Sequence, residues 1–180
     1  HFYLKDRKGL YPNYPKESTK KLILTEAIID AASLLQYDEI VSQYSILATY
    51  GTNGLTEEHI KAIKELKELE EIIFFFDGDN AGREAVKKYA SFLKNELPNT
   101  TITNTEPPES EDINSLLVGH SPEVLIHVLK SRKPVNTNYT ETTPIIFSTE
   151  NVSEEKNNNI TEIPINTTVT APINNTPKNE

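Results

Sequence analysis

The chain has 180 residues and 20.3 kDa, room for one domain of ordinary size or a smaller one with a tail. Hydrophobic residues make up 36% and the net charge is −9; no apolar run approaches the roughly 18 residues of a membrane-spanning helix, so no membrane partner is expected. The absence of cysteine excludes a disulfide scaffold, a zinc ribbon and a cysteine nucleophile, and fits a reducing cytoplasm.

In chain order, residues 1–21 carry six cations against two carboxylates and read as a basic connection from an upstream part. His1-Phe2-Tyr3-Leu4-Lys5 is followed by no apolar run of secretory length, and the lack of any methionine leads us to expect a piece of a longer protein. Lys21–Thr25 reads as a short buried strand, and Glu26–Leu35 has apolar residues at helical spacing. Tyr44–Thr49 is a second strand candidate, closed by Gly51 and Gly54. Thr56 is a sound N-cap for a helix to about Leu69, with Ile60, Ile63 and Leu66 on one face. Ile72–Phe76 is a continuous apolar run, as a central parallel strand requires, and it stops at Asp77-Gly78-Asp79.

A helix is expected from about Ala81 to Asn95, a weak strand at Thr100–Ile102, an acidic proline-bearing loop over Glu106–Asp112, and two short helices at Ile113–Leu117 and Pro122–Ser131. Alternating strands and helices give an α/β class with a mainly parallel sheet, placed in residues 22–133. From Pro134 to Glu180, ten Asn, ten Thr and five Pro occur in 47 residues. That composition cannot bury enough apolar surface to offset its ordering entropy and reads as a disordered tail or linker. The central part is net acidic, which is not the footprint of a simple DNA-binding module.

Carboxylates gather where strands are expected to end. Glu26 follows the first strand and Asp77 and Asp79 the third, and the carboxyl ends of a parallel sheet line its ligand crevice. Asp30 shares a helical face with Glu26 if the helix starts at once, and Asp112 can reach the same rim. Two carboxylates ~5 Å apart repel by roughly 3 kcal/mol at an effective dielectric of about 20. A divalent cation would remove that cost, and hard oxygen donors in ones and twos suit magnesium. Each residue also has a plainer reading. Asp-Gly is a common turn, Asp79 or Asn80 a good N-cap, and Glu26 a first-turn glutamate favoured by the helix dipole. Asp30 could be merely solvated, and Arg83 could pair with a phosphate or with Asp79 one turn away. The four histidines lack metal-ligand spacing and read as surface or packing residues.

Leu22-Ile23-Leu24-Thr25-Glu26-Ala27-Ile28-Ile29-Asp30 and Phe74-Phe75-Phe76-Asp77-Gly78-Asp79-Asn80-Ala81-Gly82-Arg83 together resemble a TOPRIM domain, in particular that of bacterial-type DNA primases and primase-like proteins of mobile elements. Tyr50-Gly51-Thr52-Asn53-Gly54-Leu55-Thr56 and Glu111-Asp112-Ile113-Asn114-Ser115-Leu116-Leu117 are similar to the motifs between and after them. The resemblance implies a Rossmann-like TOPRIM fold and magnesium-dependent phosphodiester chemistry, with manganese as a substitute. Glu26 would then be the general acid/base or a metal-organising carboxylate. Asp77 and Asp79 would bind metal, with Asp30, Asp112 and Arg83 in support. Implied partners are a DNA template and nucleoside triphosphates, with a replicative helicase or further domains of the same protein. Ala27 replaces the family's usual glycine and Asn114 a second aspartate, which weakens a second-metal site. The zinc module and most of the basic N-terminal half of a primase core are not in this stretch. A TOPRIM nuclease or topoisomerase, and a non-catalytic TOPRIM module that binds nucleic acid or partners, are the alternatives.

Overall fold

A strand covered by helices on both faces has no polar side, and the apolar runs of this chain are of that kind. In the computed structural model, which describes residues 8–137, β1 (Lys21–Thr25), β2 (Ser45–Ala48), β3 (Glu71–Phe75) and β4 (Thr101–Asn104) are parallel. A two-residue strand, β5 (Lys133–Pro134), adds an antiparallel edge to β4. The sheet order is β2-β1-β3-β4-β5. The helices are α1 (Ile28–Leu34), α2 (Asp38–Val41), α3 (Glu57–Lys64), α4 (Asn80–Glu96), α5 (Ile113–Gly119) and α6 (Pro122–Lys130). The fold is α/β with a mostly parallel sheet flanked by helices, as the alternation predicts. The tail reading beyond residue 137 lies outside the described residues.

Side-chain alternation along the strands separates two cores. Leu22, Leu24, Ile72 and Phe74 pack with Ile63 of α3 and Val86, Tyr89 and Leu93 of α4. Ile23, Ile46, Ile73 and Phe75 pack with Ala31 and Leu34 of α1, Ile40 of α2, Leu116 of α5 and Leu125 and Leu129 of α6. Each fully buried side chain of this size contributes about 1.5–3 kcal/mol. The N-terminal stretch closes on this body, with Leu10 buried and the Tyr11 carbonyl accepting from Ala48 N–H at 3.0 Å.

Four elements differ from expectation. Helix α1 begins at Ile28 rather than Glu26, with Ala27 extended as its N-cap. Helix α3 stops at Lys64 although the apolar pattern continues to Leu69. The N–H groups of Glu70 and Glu71 both donate to Lys20 O, and Lys21 pairs with Glu71, so the chain must leave the helix early to enter β3. One-turn α2 and two-residue β5 carry no periodic signal. An ion pair fixes the approach to β5: Arg132 Nε and Nη2 donate to the two Glu71 carboxylate oxygens at 2.6 and 2.8 Å, and Thr103 Oγ1 joins at 2.8 Å.

Because β1 leads to β2 on one side and β3 lies on the other, the carboxyl ends of β1 and β3 form the switch point of the sheet. In such sheets a crevice opens there.

Candidate functional site

Thr25, the last residue of β1, is paired with Phe75, the last of β3. Glu26 leaves β1 one residue later, and Asp77 follows β3 by two. The Glu26 carboxylate accepts the Asp77 backbone N–H, and its Oε2 is buried without a hydrogen-bond partner. Burial, then the negative charges of Asp77 and Asp79, raise the Glu26 carboxyl to about 7 against that hydrogen bond, with a smaller push from Asp30. Asp77 is itself raised by burial and by Asp112 and Asp79.

Asp30 is 2% exposed. Its Oδ2 accepts Ala27 N–H at 3.1 Å and its Oδ1 accepts Asn114 N–H at 3.4 Å. It thus accepts the N–H of the N-cap residue Ala27, which has no polar side chain to cap the first turn in return, and it does not share a helical face with Glu26. Burial raises it to about 6, opposed by the Ala27 hydrogen bond and helped by Asp112 and Asp77. Asp79 is the N-cap of α4, Oδ1 accepting Gly82 N–H at 2.7 Å. Asp112 is the N-cap of α5 and accepts Ser115 N–H. Each cap bonds through one oxygen.

Gly78 sits where no side chain fits. A Cβ there would lie 2.1 Å from Pro108 O, because the loop after β4 folds over it: Gly78 N–H donates to Glu111 O at 2.8 Å and Ser110 N–H to Gly78 O at 3.1 Å. That closure brings Asp112 to the rim beside Asp77. A Cβ on Gly82 would lie 2.4 Å from Asp77 O, so the start of α4 presses directly on the same turn. Arg83 does not pair with the Asp79 side chain. Its guanidinium donates to Gly78 O at 2.9 Å and Asn80 Oδ1 at 2.6 Å, and it pairs with Glu109 at 3.3 Å.

The loop after β2 reaches the rim as well, Gly51 N–H donating to Glu26 O at 2.7 Å. Beneath it His59 is fully buried, its Nε2 2.9 Å from Ala48 O and its Nδ1 accepting Thr56 N–H at 3.2 Å. Burial lowers its pKa, in keeping with a neutral packing histidine.

Glu26, Asp77, Asp79, Asp30 and Asp112 therefore share one rim, but in ones and twos. Among the described residues no three His, Cys, Asp or Glu side chains form a group that could hold a metal ion. The donor set is all oxygen, with one buried oxygen orphaned. It fits a hard cation bound through one or two carboxylates with water and phosphate completing the shell, not a protein cage. No helix among the described residues is long and apolar enough to cross a membrane.

Residues 23–117 match the family model described as Toprim-like. A comparison with curated proteins returns no match. Among solved structures, a DNA primase domain from Pseudomonas aeruginosa is 27% identical, with a TM-score of 0.52 over 65% of this chain and 35% of that one. The Aquifex aeolicus primase, in its zinc-binding and RNA polymerase domains, is 23% identical, with a TM-score of 0.53 over 64% and 26%. A chain from the bacteriophage T7 lagging-strand DNA polymerase assembly with primase domains is 23% identical, with a TM-score of 0.55 over 70% and 61%. The chain thus spans between about a quarter and three-fifths of the length of these structures.

Proposed function

The chain belongs to the Toprim-like family, and from that membership we propose that it is the metal-dependent catalytic part of a primase, forming phosphodiester bonds between ribonucleotides on a DNA template. Domains of this family bind divalent metals. The observation that carries the proposal is Glu26: a carboxyl with a pKa near 7 and a buried, unpartnered oxygen, facing Asp77 and Asp79 at the switch point of the sheet. Burial and the charges of Asp77 and Asp79 raise this carboxyl when no metal is bound, and a cation held between the carboxylates would remove that repulsion. Asp77 and the free oxygen of Asp79 would hold magnesium, with manganese in its place, while Glu26 and Asp112 orient the bound water and phosphate. The ion would neutralise charge on the transferring phosphoryl group and polarise its oxygens. Asp30 supports the site from below by fixing the start of α1 and the approach of α5, and Arg83 is placed to exchange Glu109 for a phosphate.

The test is extension of a ribonucleotide primer annealed to a DNA template, with labelled ribonucleoside triphosphates and magnesium. The proposal predicts extended product that disappears in Asp77→Asn/Asp79→Asn and in EDTA. Nicking of supercoiled plasmid in place of extension would move the assignment to a TOPRIM nuclease. A second reading, a non-catalytic nucleic-acid-binding module, is favoured by one observation: Asp30, Asp79 and Asp112 all serve as helix-start acceptors, and among the described residues no three-ligand group forms. DNA binding without product, unaffected by loss of the carboxylates, would select it.

A further inference from the structure

At the amino ends of the strands, opposite the carboxylate rim, lies a cleft of about 480 Å3 that the reading above does not use. The N-terminal stretch between Pro12 and Lys21 lines it, with Leu35 and Val41 at the ends of α1 and α2 and Tyr44–Ile46 at the start of β2. Leu35 and Val41 are 37% and 40% exposed. The charge in the lining is of one sign: Lys16, Lys20 and Lys21 contribute to it and no carboxylate does, in a chain of net charge −9. Lys20 is loosely held by Glu70 at 3.7 Å, both side chains well exposed, and Lys21 lies over the Tyr44 ring. Lys16 makes no ion pair among the described residues.

The cleft runs along an open strand. β2 is the edge of the sheet, and its outer side already takes one extended segment, Ala48 N–H donating to Tyr11 O at 3.0 Å, while Thr49 N–H turns inward to Thr25 O. By strand alternation the backbone of Ile46, two residues before Ala48, faces the same outer side. An edge of this kind beside apolar side chains suits strand addition, in which main-chain hydrogen bonds give affinity and side-chain pockets give selectivity.

The chain itself supplies an occupant. β5 runs antiparallel to β4, Lys133 against Asn104 and Pro134 against Thr103, with Val135 N–H on Ile102 O. The chain therefore leaves the sheet toward its amino end, where the cleft opens. Arg132, one residue before β5, already holds its guanidinium 5.9 Å from the centre of the Tyr44 ring. β5 and β2 are four strand spacings apart in the sheet order, about 19 Å, and the stretch from Thr137 to Ile145 reaches up to about 26 Å. Past the described residues the sequence reads Glu141-Thr142-Thr143-Pro144-Ile145-Ile146-Phe147-Ser148-Thr149-Glu150. Ile145-Ile146-Phe147 is the longest apolar run after residue 137, and it is flanked by glutamates and no cation. An apolar centre between two carboxylates matches an apolar cleft bordered by lysines. Pro144 stands at the start of the run, where an added strand tolerates proline.

We propose that residues 144–147 add to the β2 edge and fill this cleft, with Glu141 and Glu150 against its lysines. The chain beyond them then departs from the end of the sheet opposite the carboxylate rim. The inference does not depend on the functional reading above, since it concerns the other end of the sheet and holds whether or not the rim binds metal.

The chain has no cysteine, so introduced pairs read proximity without background. In the full chain, Ser42→Cys/Phe147→Cys places one thiol beside the cleft and one on the segment, and Lys61→Cys/Phe147→Cys moves the first thiol to the exposed side of α3. Under mild oxidation the Ser42 pair should close within one chain about tenfold faster than the Lys61 pair, because docking raises the effective concentration. Adding Lys16→Glu/Lys20→Glu should slow that closure about fivefold, as loss of two exposed ion pairs predicts, and adding Glu141→Lys/Glu150→Lys as well should restore it. Ile145→Asp/Ile146→Asp should bring the Ser42 pair to the rate of the control. Thermal unfolding checks each variant; if the lysine variants are destabilised, Ile145→Asp/Ile146→Asp, which leaves the sheet and its two cores untouched, decides the matter. Equal rates for the two cysteine pairs, or a fast rate that survives Ile145→Asp/Ile146→Asp, would overturn the proposal. Disulfides formed between chains rather than within one would overturn it in favour of a second copy as the occupant.

Discussion

Replacing Glu26 by Gln removes one negative charge from the rim while keeping the side chain's shape. Folding raises the Glu26 pKa from 4.5 to about 7. The folded state therefore holds this proton over a range where the unfolded chain has released it. Its stabilising contribution is complete below pH 4.5 and is lost as pH rises through about 7. A displacement of that size corresponds to about 3 kcal/mol when fully expressed, and partial exposure to solvent reduces it to about 1–2 kcal/mol. Glu26→Gln should thus be more stable than the wild type by about 1–2 kcal/mol at pH 8 in EDTA, or roughly 4–8 °C in Tm. At pH 5, where the wild-type carboxyl is already protonated, the two should agree within about 0.5 kcal/mol. Urea unfolding of both chains from pH 5 to pH 8 measures the difference directly. A difference that is the same at both pH values, or a less stable Glu26→Gln at pH 8, would refute the account of charge crowding at the rim.

Gly78→Ala should cost about 2–4 kcal/mol, since its Cβ would meet Pro108 O at 2.1 Å and the loop carrying Asp112 would have to move; denaturant midpoints read the loss. Gly82→Ala should also destabilise, despite a helix-propensity gain of about 1 kcal/mol, because the new methyl would press on Asp77 O. Arg132→Met should cost about 1–2 kcal/mol at pH 7 by taking the guanidinium from half-buried Glu71, which keeps its hydrogen bond from Thr103. With Arg132 present, Glu71 is lowered from 4.5, so the stability of this pair is present above pH 4.5 and lost as pH falls through the lowered value. His59 behaves in the same direction at higher pH. Its pKa is lowered from 6.5, so stability from the neutral ring is lost as pH falls below 6.5, and nitrogen NMR should show an imidazole protonated on Nε2 at pH 7.

The sheet was legible because parallel strands buried on both faces are written as unbroken apolar runs. Leu22–Leu24 and Ile72–Phe76 could be little else, and the residues following them were the natural rim. The end of α3 was not legible, since Glu65–Leu69 continues a helical pattern that only the pairing of Lys21 with Glu71 interrupts. In the site, the positions of Glu26, Asp77 and Asp79 followed from strand ends. The use of Asp30 as a helix-start acceptor was hidden because Ala27 occupies a cap position without a polar side chain. The pairing of Arg83 with Glu109 was hidden, because Glu109 reaches it from a loop 26 residues away. Nothing in the local pattern marked Asn104 or Lys133 as neighbours, as a two-residue antiparallel edge leaves no periodicity to read.

The central claim is that the rim at the ends of β1 and β3 binds a divalent cation through Asp77 and Asp79. Thermal unfolding at pH 8 against magnesium and manganese concentration, for the wild type and for Asp77→Asn/Asp79→Asn, tests it most directly. An ion that binds the folded state alone stabilises it by about 2.7 kcal/mol at a hundred times its Kd. The account predicts a concentration-dependent rise in Tm for the wild type and none for the variant. Equal shifts in both chains, or no shift in either together with a more stable variant, would contradict it.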